Sequence, residues 1–214
     1  MKRAIDILLS GSILLLLSPL FGAIALAILL DSGSPVFFSQ ERVGKDFTRF
    51  NILKFRTMKV HRNGTRLTVR GDVRVTRAGR FLRASKLDEL PQFLNVLLGQ
   101  MSVVGPRPEV PEFIALYEMR FRNVLMVRPG ITDLASIEFR NEEVVLAQSR
   151  DPLKTYCDEI LPVKLRLAEK YVRTRSLRGD LGIILDTIAV VVFTRALRRA
   201  CSGRNKRDRG NLRA

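Results

Sequence analysis

The longest apolar run lies near the N-terminal end. Behind Lys2 and Arg3, the chain from Ile7 to Leu30 carries no charged residue. As a helix that run would reach about 36 Å, against roughly 30 Å of bilayer hydrocarbon. A cleaved signal peptide has a shorter apolar stretch of about 7–15 residues, so the pattern predicts membrane residence. Both flanks are basic, with Lys2 and Arg3 before and Arg42, Lys45 and Arg49 after, which marks both ends as cytoplasmic. Ser18-Pro19 interrupts the run. Proline removes a backbone donor and bends a helix, and a serine can bond back into the freed ladder. On these residues alone two arrangements stay open, a kinked spanning helix and a re-entrant hairpin that returns to one face.

The pattern then shortens. Val36-Phe37-Phe38 and Phe47 to Phe55 predict two short strands around a Gly44-Lys45-Asp46 turn. Alternation places Lys54 and Arg56 on one strand face, either a solvated face or an anion-binding edge. Residues 59–75 hold His61, Asn63-Gly64 and Gly71-Asp72 with few large apolar residues, which predicts a polar loop with His61 at the surface. A short helix is expected over Thr76–Arg83. Next, Leu87, Leu90, Leu94, Leu97 and Leu98 recur at helical intervals before Gly99, predicting a helix with a buried leucine stripe. Ser85-Lys86-Leu87-Asp88 has capping-box spacing. It would put Asp88 in a first turn, where amide groups favour the ionised carboxylate. Further helices are predicted over Glu109–Arg122 and Pro152–Tyr171. Leu181 to Phe193 is strongly apolar and short for a crossing, which suits an interfacial or core helix, with Asp180 in its first turn.

Charge changes the picture. Thirty-seven Lys and Arg against 21 Asp and Glu leave a formal +16, which favours polyanionic partners. The tail from Arg195 to Ala214 carries eight basic residues against Asp208 alone. It is read as a solvated end, as a leaflet contact worth about 1 kcal/mol per basic residue, or as both at once. Aromatics are 7% of the chain and Trp is absent, so a base-stacking platform has little material. No helix-turn-helix or zinc-finger pattern is present. Cys157, Cys201 and one histidine supply no familiar zinc spacing, and a reduced compartment without structural metal or disulfide is expected.

Against that basic background stands Asp88-Glu89, with Arg80 and Arg83 before it and Gly105-Pro106-Arg107-Pro108 after it. Two prolines fix the backbone around one guanidinium, an expensive arrangement for a merely solvated arginine. Val127-Arg128-Pro129-Gly130 is a second rigid turn with an arginine, and Glu138-Phe139-Arg140 follows. The acidic pair is read either as a helix cap or as a metal-assisted phosphate site. An enzyme on diphosphate substrates uses the pair, the arginines and the apolar run together. A membrane-anchored basic protein binding nucleic acid or anionic lipid without catalysis uses only the charge.

In order and spacing, several motifs resemble the monotopic phosphoglycosyl transferases, bacterial sugar transferases, in their minimal form. They are Ser18-Pro19, Phe38-Ser39-Gln40-Glu41-Arg42-Val43-Gly44, Lys54-Phe55-Arg56-Thr57-Met58, Leu87-Asp88-Glu89-Leu90-Pro91-Gln92, Met101 to Pro108, Arg128-Pro129-Gly130-Ile131-Thr132, and Tyr171-Val172 with Asp180-Leu181. The resemblance implies transfer of a sugar phosphate from a UDP-sugar to a polyprenol phosphate such as undecaprenyl phosphate, with release of UMP, in the first membrane step of glycan assembly. It implies Asp88 as nucleophile and Glu89 as catalytic partner and Mg²⁺ ligand. Lys54, Arg56, Arg83, Arg107, Arg128 and Arg140 become the expected phosphate- and nucleotide-binding cations. It also implies a re-entrant membrane helix broken at Ser18-Pro19, at the cytoplasmic face of the bacterial inner membrane. The expected fold is α/β and helix-rich, a small membrane-associated catalytic domain with short strands. Its parts are a hairpin over 1–33, a catalytic domain over 34–194 and a basic tail over 195–214. Expected partners are the UDP-sugar, undecaprenyl phosphate and inner-leaflet lipids but no nucleic acid, with homo-oligomerisation left open. After Thr132 the chain reads Asp133-Leu134-Ala135-Ser136, where many such proteins read Gly-Trp-Ala-Gln, which puts local donor contacts in question.

Overall fold

A computed structural model describes residues 1–59, 69 and 71–191. His61, Asn63-Gly64, Cys201 and the basic tail lie outside the described residues. The chain opens with α1 (Lys2–Leu16) and α2 (Ser18–Ser32), two apolar helices bent by 60° at their junction. The break falls at Leu17, and Pro19 occupies the first turn of α2. A proline there loses no helical hydrogen bond and has its φ preset, so Ser18-Pro19 starts the second helix rather than kinking the first. Ser18 Oγ donates to the Leu15 carbonyl at 2.9 Å. Among the described residues no single helix is long and apolar enough to cross a membrane.

Polar residues tie α1 into the rest of the molecule. Asp6 is buried and accepts from Ser102 Oγ at 2.8 Å and from the Val103 N–H at 3.1 Å. Arg3 donates to the carbonyls of Val96 and Leu97 at 2.6 and 3.0 Å, and Lys2 pairs with Asp180 and donates to the Val104 carbonyl. Tyr171 Oη donates to Asp180 at 2.8 Å. Asp6, Arg3, Lys2 and Tyr171 thus each meet a partner, as burial of a polar group demands.

Two small sheets follow. β1 (Phe37–Val43) and β2 (Arg49–Phe55) form an antiparallel hairpin, in register from Phe37 opposite Phe55 to Val43 opposite Arg49. The first strand runs past the predicted Val36–Phe38 because Ser39, Gln40, Glu41 and Arg42 pair through backbone groups despite their polar side chains. β3 (Ser102–Val104) and β4 (Gly130–Thr132) pair in parallel. Their junction is backbone against backbone: a Cβ on Gly130 would lie 2.1 Å from the Gly105 nitrogen, far inside contact distance. Glycine at that position is a requirement of the strand pairing.

Helices fill the remainder. α3 (Arg77–Ser85) begins at Thr76, whose side chain accepts from the Gly79 N–H at 2.9 Å. α4 (Gln92–Leu97) is short, and the expected leucine stripe is partly buried only at its start: Leu87 and Leu90 pack against the core, while Leu94 and Leu97 are exposed and Leu98 is 69% exposed. The buried face of α4 carries Gln92, Asn95 and Val96 instead. Asn95 explains why: its side chain accepts from the Leu53 N–H at 3.0 Å and donates to the Asn51 carbonyl at 2.8 Å, stitching α4 to β2. The single helix expected over Glu109–Arg122 is two, α5 (Pro111–Leu116) and α6 (Glu118–Val124), broken at Tyr117. Beyond β4 come α7 (Leu134–Glu138), α8 (Glu142–Gln148) and α9 (Pro152–Thr155). α9 continues through a π turn, Tyr156–Ile160, into α10 (Leu161–Thr174). Pro162 has no N–H to give, and a widened turn just ahead of it accommodates the loss. α11 spans 177–191.

Three apolar clusters hold these pieces. Phe113, Phe121, Leu146, Tyr156, Leu161 and Leu165 join α5, α6 and α8–α10. Phe50, Ile52, Val96, Met101, Val104 and Ile183 join β2, β3, α4 and α11. Ile24, Ile28, Phe55 and Leu82 pack α2 against β2 and α3. Helix-rich α/β architecture with short strands is thus the observed class.

Candidate active site

Asp88 and Glu89 do not stand in the first turn of a long helix. Ser85 closes α3, its Oγ donating to the Phe81 and Leu82 carbonyls at 2.7 and 3.0 Å, so the capping box does not form. Lys86 takes a left-handed conformation (φ 56°), a helix-ending geometry usually left to glycine or asparagine. Leu87–Glu89 then form one tight 3₁₀ turn before Pro91 leads into α4. The two carboxylates are turned inward, Asp88 8% and Glu89 9% exposed.

Two cations converge on one of them. Glu89 Oε1 accepts from Lys54 Nζ at 2.9 Å and from Arg107 Nη2 at 2.6 Å. Lys54 comes from the end of β2, and Arg107 from the turn after β3. Burial alone would push the Glu89 carboxyl up, but Arg107 and then Lys54 overcome it and hold the group well below the usual glutamate value. Its neighbour behaves oppositely. Burial, and then the charge of Glu89, push the Asp88 carboxyl up, with Lys54, Lys86 and Arg83 pulling against them. The first-turn stabilisation expected for ionised Asp88 is therefore replaced by a contest between burial and neighbouring cations. Asp88 Oδ1 is buried and bonded to nothing among the described residues.

Of the other expected cations, Arg83 lies nearest in effect, since its charge acts on Asp88. Its Nη2 donates to Glu143 at 2.6 Å. Arg56 is not brought to the dyad. It is buried at the end of α2, donating to the Ser34 carbonyl at 2.7 Å, to the Ser32 carbonyl and Oγ at 2.9 Å, and to the Gly33 carbonyl. Arg128 is exposed and donates from Nε to the Gly99 carbonyl at 2.7 Å, beside Arg3 at the end of α4. Arg140 is exposed beyond α7. The ends of helices offer carbonyl groups that satisfy arginine as readily as phosphate does, and a rigid turn does not reveal which one its arginine meets.

Three residues outside the expected set of site residues shape the Arg107 turn. Asp133 Oδ2 accepts from the Arg107 N–H at 3.2 Å while its Oδ1 caps α7 through the Ser136 N–H at 2.7 Å. The Asp133-Leu134-Ala135-Ser136 segment is thus a helix start joined to the site, and an aspartate before an apolar run was the available signal. Arg42 Nη1 donates to the Pro108 carbonyl at 3.1 Å and lies 3.6 Å from Glu109. Glu109 in turn accepts from Tyr156 Oη at 2.8 Å. Burial, then Glu109, push the Tyr156 phenol up, so it remains a donor.

No group of three or more His, Cys, Asp or Glu side chains among the described residues could hold a metal by itself. The dyad nevertheless offers hard carboxylate oxygens, including the unbonded Asp88 Oδ1. That donor set suits Mg²⁺, which binds through one or two carboxylates and completes its shell with water and substrate phosphates.

A family model described as bacterial sugar transferase matches residues 1–194. Three curated relatives illustrate the similarity. The chain is 42% identical over 203 residues to the undecaprenyl-phosphate glucose phosphotransferase of Komagataeibacter xylinus, covering 91% of this chain and 36% of that protein. It is 37% identical over 206 residues to the UDP-glucose:undecaprenyl-phosphate glucose-1-phosphate transferase of Caulobacter vibrioides, covering 90% and 70%. It is 45% identical over 199 residues to the exopolysaccharide production protein PSS of Rhizobium leguminosarum bv. phaseoli, covering 88% and 93%. The chain spans less than two-fifths of the length of the relatives from Komagataeibacter, Escherichia coli and Klebsiella pneumoniae.

Proposed function

We propose, from the premise that this chain belongs to the bacterial sugar transferase family, that it moves a sugar phosphate from a UDP-sugar to a polyprenol phosphate, with undecaprenyl phosphate the natural acceptor to test. The observation that carries the reading is the buried pair of adjacent carboxylates with opposed environments. Glu89 is held ionised by Lys54 and Arg107, and Asp88 keeps a buried, unbonded oxygen. The relative from Komagataeibacter is named as an undecaprenyl-phosphate glucose phosphotransferase and that from Caulobacter as a UDP-glucose:undecaprenyl-phosphate glucose-1-phosphate transferase.

In this reading the ionised Asp88 carboxylate attacks the phosphorus that bears the sugar. The bond from that phosphorus to the bridging oxygen breaks, and UMP leaves with the bond's electrons. An aspartyl phosphosugar remains, splitting one difficult displacement into two easier ones. An oxygen of the polyprenol phosphate then attacks the same phosphorus, the acyl–oxygen bond to phosphorus breaks, and Asp88 is regenerated as a carboxylate. Lys54, Arg83 and Arg107 neutralise charge on the phosphate oxygens, which is the main task of such a site. Glu89 would hold Mg²⁺ against the diphosphate, where the ion supplies Lewis-acid neutralisation. The same cations lower the cost of ionising Asp88, whose carboxyl burial pushes up. A basic protein that merely binds nucleic acid or lipid has no use for this pair.

The location follows the same logic. We propose that α1 and α2 form a re-entrant hairpin at the cytoplasmic face of the inner membrane. The supporting features are the 60° bend, the exposed Leu8, Leu15, Leu16, Leu26 and Leu30, and the polar first turn of α1 held in the domain. On α11, Leu177, Leu181, Leu185 and Ile188 form an exposed apolar stripe suited to the lipid boundary. Single cysteines placed before Asp6 and after Asp31 are both expected to react only with reagent supplied from the cytoplasm. Labelling of either from the periplasm would overturn the hairpin.

The activity is tested with purified full-length chain, Mg²⁺, undecaprenyl phosphate and a panel of UDP-sugars, following UMP release. At least one donor is expected to give acceptor-dependent UMP. Silence across the whole panel would count against the assignment.

A further inference from the structure

Two consecutive acids open α8, and each meets a cation from a different element. Glu142 lies 2.5 Å from Lys164 Nζ of α10, and Glu143 Oε1 accepts from Arg83 Nη2 of α3 at 2.6 Å. Adjacent helical residues point about 100° apart, so the pair divides between two supports. The Lys164 ammonium sits 4.8 Å from the centre of the Tyr156 ring. Tyr156 bonds Glu109, and Glu109 faces Arg42, which holds the Pro108 carbonyl. One side of α8 thus supports the turn that presents Arg107, and the other grips Arg83 directly.

Arg83 is the more informative of these contacts. Its Nη2 is engaged by Glu143, while its Nη1 is buried and bonded to nothing among the described residues. A buried donor left unsatisfied is costly, so a native structure retains one where a ligand or water will meet it. Arg83 lies in the last turn of α3, just ahead of the Leu87–Glu89 turn, and Asp88 Oδ1 is another buried atom left unbonded among the described residues. A planar fork pinned at one nitrogen presents the other in a fixed direction, the geometry in which arginine reads phosphate. Glu143 is about half exposed, and an exposed ion pair contributes little to stability. The contact with Arg83 is therefore better explained by what it orients than by what it stabilises.

We infer that Glu143 is a positioning residue for Arg83, holding the guanidinium so that its buried Nη1 meets a phosphate oxygen of the nucleotide-sugar diphosphate. The inference rests on the transfer reaction proposed above and adds a residue to its donor site. Glu143 touches no substrate and acts through Arg83 alone.

The experiment uses the purified full-length chain in the UMP-release assay with a UDP-sugar that wild type turns over. A wild type silent on every donor would speak against the transfer reaction, whereas a working wild type isolates the question of Glu143. Glu143→Gln is expected to raise the donor KM roughly 10-fold, with kcat and the polyprenol-phosphate KM changed by less than about 2-fold. Glu143→Asp keeps the charge and should recover most of the donor KM. In an Arg83→Ala background, Glu143→Gln should shift the donor KM no further, because its only route is gone. Full additivity in that background would overturn the inference. So would an unchanged donor KM in Glu143→Gln, or a lowered kcat that merely tracks a lowered thermal midpoint.

Discussion

Asp88→Asn is expected to suppress UMP release by at least about 10⁴-fold while leaving the fold intact and raising its thermal midpoint at neutral pH. The activity follows from chemistry, since an amide of the same shape cannot form the acyl phosphate. The stability follows from the environment. Burial, then Glu89, raise the folded Asp88 carboxyl above its usual 3.8. A group so raised contributes stability that is fully present below the unfolded pKa and is lost as pH rises through the folded one. At neutral pH the wild type therefore bears a penalty that asparagine lacks. Thermal melts of both proteins between pH 7 and the usual aspartate value should show the gap narrowing as pH falls. Retained turnover would remove Asp88 as nucleophile, and a lower midpoint in the variant would show the carboxylate to be stabilising instead.

Glu89→Gln is expected to do the opposite to the fold, with a loss of about 3–5 kcal/mol along with loss of activity. Lys54 and Arg107 share the single oxygen Oε1 at 2.9 and 2.6 Å. An amide would leave two partly buried cations facing each other without a counter-charge. Burial would push the Glu89 carboxyl up, yet Arg107 and Lys54 together carry it well below its usual 4.5. A depressed carboxyl contributes stability present above the unfolded pKa and lost as pH falls through the folded value. The stability gap between wild type and Glu89→Gln should thus be widest from neutral pH down to about that usual value, and close in stronger acid. Urea unfolding at several pH values measures it. Adding Lys54→Met to Glu89→Gln should restore part of the loss, because one uncompensated cation is removed. A Glu89→Gln protein as stable as wild type would mean that the two cations find other partners.

These two variants share adjacent positions in one turn, and their opposite signs could not be read from the sequence. Asp88 and Glu89 carry the same charge and stand in the same basic neighbourhood of the chain. Only the fold turns Glu89 toward Lys54 and Arg107 and leaves Asp88 Oδ1 without a bond. The same limit applied to the arginines. Arg107 sits in a proline-fixed turn and reaches the dyad; Arg128 sits in another and reaches the Gly99 carbonyl. Local rigidity identified both as placed, and tertiary contact decided what each was placed against. Alternation left Arg56 on either a solvated strand face or an anion-binding edge, but the strand ends at Phe55 and the side chain closes the end of α2.

Local pattern was a good guide where one interaction dominates. The bent N-terminal pair, the hairpin of β1 and β2, the helix ending at Gly99 and the capped start of α3 all follow from apolar runs, turn residues or small caps in the sequence. It failed where a side chain's partner lies far along the chain. The leucine stripe of α4 gave the correct period and the wrong face, because Asn95 bonds β2 and turns Leu98 outward. Strands β3 and β4 are three residues each, too short for alternation to show, and they pair only because Gly105 and Gly130 let two backbones meet.

By itself, then, the sequence determined the class of the molecule: its apolar entry, its basic surface, its helix-rich α/β character and the family carried by its ordered motifs. Those properties depend on composition and on residues close in the chain, so they are legible without a fold. The tertiary structure alone decided which cations bond Glu89, that the pair sits in a 3₁₀ turn with divided environments, and that Asp133, Glu109 and Glu143 meet Arg107, Arg42 and Arg83 around it. Burial and charge pairing depend on distances through space, and a buried carboxylate acquires its character from neighbours that the chain order does not name.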